Sequence, residues 1–197
     1  MTDTTSRKLF KETLRRAALD RRDALDPVFR AEAGAAIAER AAKLPFPSGA
    51  VVGGFCAIRS EIDPAALMAA LRRRGHAIAL PVVMADRETM IFRLWEPGTD
   101  LAKSSFGLSV PPSSAPAVEP RHLLVPLAAY DRRGYRIGYG KGHYDRAIAR
   151  LETGGSVIKI GIAFSAQEID EVPAEPHDRP LDFMLTETGL SACGVLS

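Results

Sequence analysis

The chain has 197 residues, of which 46% are hydrophobic, and this length suits one globular domain with a sizeable core. Its net charge of +2 does not indicate bulk binding to nucleic acid, and its two cysteines are too few for a disulfide framework. No apolar run reaches the roughly 18 residues that a membrane span needs. We therefore expect a cytoplasmic protein with no membrane partner.

The amino-terminal part is predicted to be helical. Residues from about 7 to 44 have a helical pattern, with a break at which Asp26 can cap a second helix and Pro27 can occupy its first turn. Arginines are concentrated in the first of these two helices. Lys11 and Arg15 lie four residues apart and would share one helical face, which alone is typical of a solvated basic stripe.

Strands and helices alternate in the rest of the chain. The predicted strands are 51–55, 77–83, 90–95, 123–127 and 157–163, with a proline- and serine-rich connection at 111–120. A helix capped by Asp63 and ending near Gly75 separates the first two strands, and a helix over 144–151 separates the last two. The latter arrangement is a βαβ unit, which is normally right-handed and part of a parallel sheet.

These elements predict one α/β domain over residues 1–197, with helices on both faces of a mainly parallel sheet. The N-terminal helical segment would occupy about 7–44, and the α/β core about 50–190. We found no persuasive internal repeat or domain linker.

A glycine-rich turn follows the predicted strand at 123–127. Within it, Gly138, Gly140 and Gly142 alternate with bulky residues, so the backbone at every second position can adopt angles closed to other residues and approach a ligand. In open α/β sheets, ligands bind outside the carboxyl ends of strands, and a glycine loop that opens a helix offers backbone N–H groups to phosphate oxygens. We interpret the turn as a nucleotide-phosphate site.

Charged side chains beside the turn favour the same interpretation. Lys141 and Arg136 can donate to phosphate oxygens, and Arg132 or Arg133 is a further candidate. Asp145 offers an oxygen ligand, and magnesium is usually bound through one or two carboxylates plus substrate phosphates. The turn matches neither common glycine fingerprint, so an irregular surface turn stays open as an alternative.

Several separated segments together resemble the 5-formyltetrahydrofolate cyclo-ligase family, also called methenyltetrahydrofolate synthetases. They are KETLRRAALDRRDAL at 11–25, SEID at 60–63, AIALPVV at 77–83, FGLSVP at 106–111, the glycine turn, IGIAFSAQ at 160–167 and VPAEPHDRPLDFMLTE at 172–187. The resemblance covers nearly the whole chain. It implies a three-layer α/β/α domain and ATP-dependent closure of 5-formyltetrahydrofolate to 5,10-methenyltetrahydrofolate, with release of ADP and phosphate.

The resemblance also implies roles for the matched residues. ATP would contact Lys11, Arg15, Arg136, Gly138, Gly140 and Gly142. The folate would contact Cys56, Glu61, Tyr139, Gly140, Lys141, Gly142, His143 and Tyr144. Magnesium would be held by Asp145 and Asp178. Lys141 and Arg136 would be the catalytic residues, since they would stabilise charge on the transferred phosphoryl group.

Aromatic residues are candidates for the wall of a pterin pocket. They are Phe55, Trp95, Phe106, Tyr139 and Tyr144, of which the two tyrosines lie in or beside the glycine turn. Cys56 is expected to be a small buried residue and not a nucleophile, because no histidine lies near it in sequence.

Two other functions stay open at this point. An ATP-dependent ligase or kinase for another acceptor would keep the glycine turn and the acidic residues, and a folate- or nucleotide-binding module would bind without turnover. Under the cyclo-ligase interpretation the partners are a reduced folate and ATP. Neither a nucleic acid nor an obligatory protein partner is implied, and a monomer is expected.

Overall fold

The chain begins with two helices joined by a short turn. The structure is a computed structural model that describes residues 2–103, 109–175 and 178–194. Helix α1 spans Thr2–Asp23 and helix α2 spans Pro27–Ala38. The carboxylate of Asp26 accepts hydrogen bonds from the backbone N–H groups of Val28 and Phe29, at 2.7 and 3.4 Å, which confirms the predicted cap.

The later helices and the strands follow in alternation. The strands of the described residues are β1 (Val51–Gly53), β2 (Ala77–Val83), β3 (Met90–Trp95), β4 (Ala102–Lys103), β5 (Ser109–Val110), β6 (Ala117–Val118), β7 (His122–Pro126), β8 (Ala129–Tyr130), β9 (Arg136–Ile137), β10 (Ile158–Ile162), β11 (Phe183–Thr186) and β12 (Gly189–Ala192). The helices are α3 (Ala65–Arg73) and α4 (His143–Glu152), with 3₁₀ turns at Ala41–Lys43 and Ser165–Gln167.

The main sheet is mostly parallel, as predicted. Its eight strands in the described residues have the order β12-β11-β10-β7-β1-β2-β3-β6. The neighbouring strands β11, β10, β7, β1 and β2 run parallel to one another. Strands β12, β3 and β6 extend the sheet at its two edges with antiparallel pairing.

Helices cover both faces of this sheet. On one face, Ile37 of α2 and Leu67 and Leu71 of α3 pack with Leu124 of β7. On the other face, Ile148 and Leu151 of α4 pack with the neighbouring strand residues Leu123 and Val125. Successive residues of β7 therefore point to opposite layers, as a strand buried on both sides requires. The α/β/α fold class is confirmed.

The chain order creates a switch point in the middle of the sheet. From β1 the chain passes through α3 to β2 on one side, whereas from β7 it passes through α4 to β10 on the other side. Strands β1 and β7 are parallel neighbours, so their carboxyl ends open a crevice between two connections that leave in opposite directions. Such a crevice is the usual ligand site of an open α/β sheet.

Several features differ from the sequence prediction, which contained none of the strands β4, β5, β11 and β12. The first strand ends at Gly53 instead of Phe55, and the proline-rich connection contains the short edge strand β6. A hairpin of β8 and β9 separates β7 from the glycine turn. That the chain is a single domain stays a prediction. No described helix is long and apolar enough to cross a membrane.

Candidate functional site

A cavity of about 1050 Å³ lies outside the carboxyl ends of β1, β2 and β7. Its lining includes all fourteen residues to which the family resemblance assigns a role: Lys11, Arg15, Cys56, Glu61, Arg136, Gly138, Tyr139, Gly140, Lys141, Gly142, His143, Tyr144, Asp145 and Asp178. The structure thus brings residues from distant parts of the chain to the switch point. Their individual roles stay predictions.

The glycine loop forms one wall of the cavity and leads into α4. Gly140 has a φ of +84° and Gly142 a φ of +65°, which is the left-handed region that favours glycine. Gly138 does not have a positive φ, so the expectation of unusual backbone angles at all three glycines is wrong at this position. No described residue accepts a hydrogen bond from the N–H groups of residues 139–142, and no side chain caps α4. These donors are available to an anion.

Helix α1 brings two cations to the same wall. The Arg15 side chain donates from Nε to the carbonyl of Gly138 at 2.8 Å. Lys11 donates to Glu175 at 2.6 Å and to Asp178 at 3.0 Å, so it ties α1 to the segment after the last 3₁₀ turn. Burial alone would lower the pKa of Lys11, but these two carboxylates outweigh it and the pKa is raised. Both predicted ATP contacts on α1 therefore face the cavity.

Arg136 and Asp145 form an ion pair beside the loop. The Arg136 side chain is 5% exposed; its guanidinium donates to Asp145 Oδ1 at 2.6 Å and to the carbonyl of Arg179. Asp145 also accepts a long hydrogen bond of 3.4 Å from the Arg179 backbone N–H. A buried guanidinium paired in this way keeps its charge and a fixed direction.

The carboxylates of the cavity fit a magnesium ion that is partly held by phosphate. Asp145, Glu175 and Asp178 all line the cavity, and carboxylate oxygen is the ligand type that magnesium prefers. Within the described residues, no group of three or more His, Cys, Asp or Glu side chains is arranged to hold a metal by itself. The donor set is therefore suited to an ion that arrives with phosphate oxygens.

A hydrogen-bonded chain of side chains forms another part of the cavity wall. Tyr139 donates its hydroxyl proton to Glu61 Oε1, and Glu61 Oε2 accepts from the backbone N–H of Ile58 at 2.9 Å. Arg22 donates to the Tyr139 hydroxyl oxygen at 2.7 Å. Glu61 follows β1, whereas Tyr139 belongs to the glycine loop, so this chain of bonds joins the two sides of the switch point.

Burial shifts the titration of several groups around the cavity. It raises the pKa of Glu61, although hydrogen bonds from Tyr139 and Ile58 oppose this shift. Burial likewise raises the pKa values of the Tyr139 and Tyr144 hydroxyls. Burial, and secondly the negative charge of Asp63, raise the pKa of Cys56, so its thiol stays protonated near neutral pH, which favours the expectation that it is not a nucleophile. The side chain is half-buried and not buried as expected.

The hairpin between β2 and β3 closes a further side. His143 Nε2 lies 2.9 Å from the carbonyl oxygen of Arg87, and Arg146 donates to the carbonyl of Glu88 at 3.2 Å. The first turn of α4 therefore holds the hairpin tip against the cavity.

Some sequence-based candidates lie elsewhere. Trp95 packs under Arg72, with the guanidinium carbon 5.3 Å from the ring centroid, and does not line the cavity. Arg132 and Arg133 form ion pairs with Glu168 and Asp131 and are likewise outside it. These candidates were named by residue type and position in the chain, without knowledge of their three-dimensional partners. Phe55, Tyr139 and Tyr144 do line the cavity, and Phe106 lies outside the described residues.

Sequence reasoning missed two residues of the site, Arg22 and Glu175. Arg22 follows Lys11 by eleven residues and Arg15 by seven, which places all three on one helical face, so the spacing that selected Arg15 contained the signal for Arg22. Glu175 has no comparable signal, because its pairing with Lys11 spans 164 positions.

The fold and the cavity define an α/β protein with a candidate ligand site at the switch point of its sheet, walled by a cationic glycine loop. A profile of the 5-formyltetrahydrofolate cyclo-ligase family matches residues 7–187. The chain belongs to this family, and the predicted enzyme class, a ligase of folate metabolism, is confirmed.

Individual relatives agree with this membership. A 5-formyltetrahydrofolate cyclo-ligase of Mycolicibacterium smegmatis is 35% identical over 147 residues, covering 71% of this chain and 74% of the relative. One of Escherichia coli K12 is 28% identical over 172 residues, covering 84% and 94%. The NMR structure of Aquifex aeolicus 5,10-methenyltetrahydrofolate synthetase has a TM-score of 0.80 at 26% identity, covering 95% of this chain and 94% of that one. The Mycoplasma pneumoniae synthetase has a TM-score of 0.72, also at 26% identity, covering 90% and 98%.

Proposed function

We propose that the chain converts 5-formyltetrahydrofolate to 5,10-methenyltetrahydrofolate and consumes ATP, with release of ADP and phosphate. The observation that carries this proposal is the single cavity, which joins a cationic glycine loop to the hydrogen-bonded Glu61–Tyr139 pair. Family membership supports the choice of folate as the substrate. A volume of about 1050 Å³ is at the upper end for a small-molecule site and leaves room for two ligands.

The glycine-loop side suits the phosphates of ATP. The loop lines a cavity that also contains Lys11, Arg15 and Arg136, and the N–H groups of residues 139–142 have no acceptor among the described residues. Lys141 is exposed, and among the described residues no carboxylate forms an ion pair with it, so its ammonium is available to a phosphate. Phosphoryl transfer needs little covalent help from a protein, because positioning and charge stabilisation supply most of the rate enhancement.

Magnesium would be held by Asp145 and Asp178 together with phosphate oxygens. When bound, it would neutralise phosphate charge in the cavity. Each carboxylate already pairs with a cation of the protein, Asp145 with Arg136 and Asp178 with Lys11. Arg136 and Lys11 would therefore orient these carboxylates for the ion.

The part of the cavity around Glu61 suits the folate. Glu61 presents an oriented acceptor at the cavity wall, and Phe55, Cys56 and Tyr144 contribute apolar surface beside it. A flat heteroaromatic ring with N–H donors matches this combination of apolar area and a fixed acceptor.

The proposed reaction needs no enzyme nucleophile. The γ-phosphoryl group moves from ATP to the formyl oxygen and leaves ADP, which converts a poor leaving group into a phosphate ester of an imidate. The folate N10 then attacks the formyl carbon, N10 loses its proton, and phosphate departs with the formyl oxygen. The side chains of the cavity hold the two substrates in line and stabilise the charge that develops on the transferred group.

The direct test follows the conjugated methenyl product by absorbance. Purified protein is mixed with 5-formyltetrahydrofolate and magnesium, with and without ATP, and ADP is measured in parallel. We expect product only with ATP, in one-to-one ratio with ADP. Folate binding without product would contradict catalysis and favour a binding module, and neither binding nor product would favour a ligase with another acceptor.

Lys141 provides a mutational test of the phosphate side. We expect Lys141→Ala to lower kcat by about 10- to 100-fold, somewhat less than the loss of a buried oxyanion donor, because an exposed lysine is more strongly solvated. The melting temperature should not change, because the side chain is exposed. Lys43→Ala, on the exposed 3₁₀ turn, is the matched control and should keep full activity. Equal activity in both variants would remove Lys141 from the mechanism.

A further inference from the structure

Arg22 is a buried cation to which the proposed reaction assigns no role. Its side chain is 1% exposed although it belongs to the polar helix α1. Its guanidinium donates to the Tyr139 hydroxyl at 2.7 Å and to the Ser60 hydroxyl at 2.9 Å. Asp23 Oδ1 lies 3.4 Å from both Nε and Nη2 and accepts the hydroxyl proton of Ser60. Arg22 is therefore fixed from two sides.

The chemistry of the guanidinium gives this network a direction. Arginine has five N–H donors and no acceptor, so the Tyr139 oxygen must accept from Arg22. The Tyr139 hydroxyl therefore donates its own proton to Glu61 Oε1. Glu61 Oε2 accepts from Ile58 N–H. Because both of its oxygens accept hydrogen bonds, Glu61 is held in one orientation.

Packing does not require an arginine at this position. Replacing buried ion pairs by apolar residues of similar size is often neutral or stabilising, so a buried guanidinium is weak evidence for a role in stability. Helix α1 also has an apolar contact of its own, through the fully buried Ala18. What the guanidinium adds is the fixed geometry of two residues that line the cavity, Tyr139 and Glu61.

We propose that Arg22 is a positioning residue for the folate, acting through Tyr139 and Glu61, with Ser60 holding Arg22 in place. This inference rests on the proposed function of the cavity, and it adds Arg22 and Ser60 to the residues that serve the folate. Lys11 and Arg22 share one face of α1 and lie about 16 Å apart along its axis. One helix thus organises both ends of the site, the phosphate end directly and the folate end through Tyr139.

A double-mutant cycle tests the route through Tyr139. The variants are Arg22→Lys, Tyr139→Phe and the two combined, and kcat and KM are measured for folate and for ATP separately. We expect Arg22→Lys to raise the folate KM by about tenfold and to change the ATP KM by less than about threefold. In the Tyr139→Phe background, the same change should have less than about a threefold effect, because the hydroxyl that transmits it is gone. Equal effects in both backgrounds, or equal effects on both substrates, would overturn the proposal.

Two further variants separate positioning from folding. Arg21→Lys changes the neighbouring exposed arginine, which donates to the Ala166 carbonyl at 2.9 Å, and should leave the folate KM unchanged. If Arg22→Lys does not fold by circular dichroism, Ser60→Ala takes its place in the cycle, since it loosens Arg22 and keeps its charge. If the effect of Ser60→Ala on the folate KM is the same with and without Tyr139→Phe, the proposal is overturned.

The dissociation constant of 5-formyltetrahydrofolate without ATP distinguishes this proposal from the proposed function. If the wild type binds the folate but forms no product, the proposed reaction is contradicted. The same double-mutant cycle, measured as dissociation constants for the folate, then still decides the role of Arg22. If the wild type binds no folate, both proposals fail. Weaker folate binding in Arg22→Lys that disappears in the Tyr139→Phe background would support the positioning role independently of turnover.

Discussion

Glu61 has two opposing influences on its protonation. Burial raises its pKa, whereas the hydrogen bonds from Tyr139 and Ile58 and the charges of Arg22 and Arg59 lower it, and burial has the larger effect. The nearby Tyr139 and Tyr144 hydroxyls have raised pKa values themselves and stay neutral. The ionised form of Glu61 accepts from two donors at once, and a protonated form would compete with the Tyr139 proton.

This balance predicts how folate binding depends on pH. A raised pKa means that Glu61 gains its proton at a higher pH than an ordinary glutamate, and the protonated form is a poorer acceptor for folate N–H groups. We expect the folate KM of the wild type to rise as the pH falls, and to begin rising at a higher pH than the ordinary pKa of a glutamate would give. Glu61→Gln should bind folate more weakly at pH 8 and should lack this rise. The same rise in Glu61→Gln would assign the titration to the substrate or to another group.

At the scale of elements, the glycine loop depends on backbone freedom at particular positions. The backbone at Gly140 has a φ of +84°, and a Cβ atom added there would lie 3.4 Å from the Arg15 guanidinium. At Gly138 the φ is not positive, and an added Cβ would meet nothing within 4 Å. The two glycines therefore differ physically although the sequence pattern treats them alike.

The corresponding variants should differ in stability. We expect Gly140→Ala to lower the free energy of unfolding by about 1–3 kcal/mol, because alanine in the left-handed region is strained. Gly138→Ala should change it by less than about 0.5 kcal/mol, as for substitutions in open space. Urea unfolding followed by circular dichroism measures both. Equal losses would show that the loop tolerates no Cβ at either position, contrary to this geometry.

The sequence predicted those elements that have a strong local signal. Helices α2 and α3 were located by Asp26 and Asp63, whose side chains accept hydrogen bonds from the first turns. Strand β2 was predicted with its observed bounds, because it is a continuous apolar run. The two-residue strands β4, β5, β6, β8 and β9 were missed, since two residues cannot show a period and their pairing is decided by partners elsewhere. The four-residue strands β11 and β12 of the main sheet were missed as well.

At the scale of the whole molecule, the site consists of pieces that the sequence separates widely. The predicted residues run from Lys11 to Asp178. The glycine turn with Arg136, Lys141 and Asp145 could be proposed from its local pattern, whereas the roles of Lys11, Arg15, Cys56, Glu61 and Asp178 came from the family resemblance. Their pairing could not be predicted: Lys11 with Glu175, Tyr139 with Glu61 and Arg136 with the Arg179 carbonyl all depend on the three-dimensional fold. The switch point between β1 and β7 brings them together, and local sequence does not encode it.

Because the cavity walls come from α1, the segment after β1, the β2–β3 hairpin and the glycine loop, unfolding disperses the whole site. A ligand of this cavity should therefore bind the folded state alone and stabilise the entire molecule by mass action. We expect 5-formyltetrahydrofolate at 100 times its dissociation constant to raise the free energy of unfolding by about 2.7 kcal/mol, with a melting temperature that rises with ligand concentration. At the same concentration of folate, Glu61→Gln should be stabilised less, since its affinity is lower, whereas Lys43→Ala should match the wild type. A melting temperature that does not depend on folate concentration would contradict binding at the switch point.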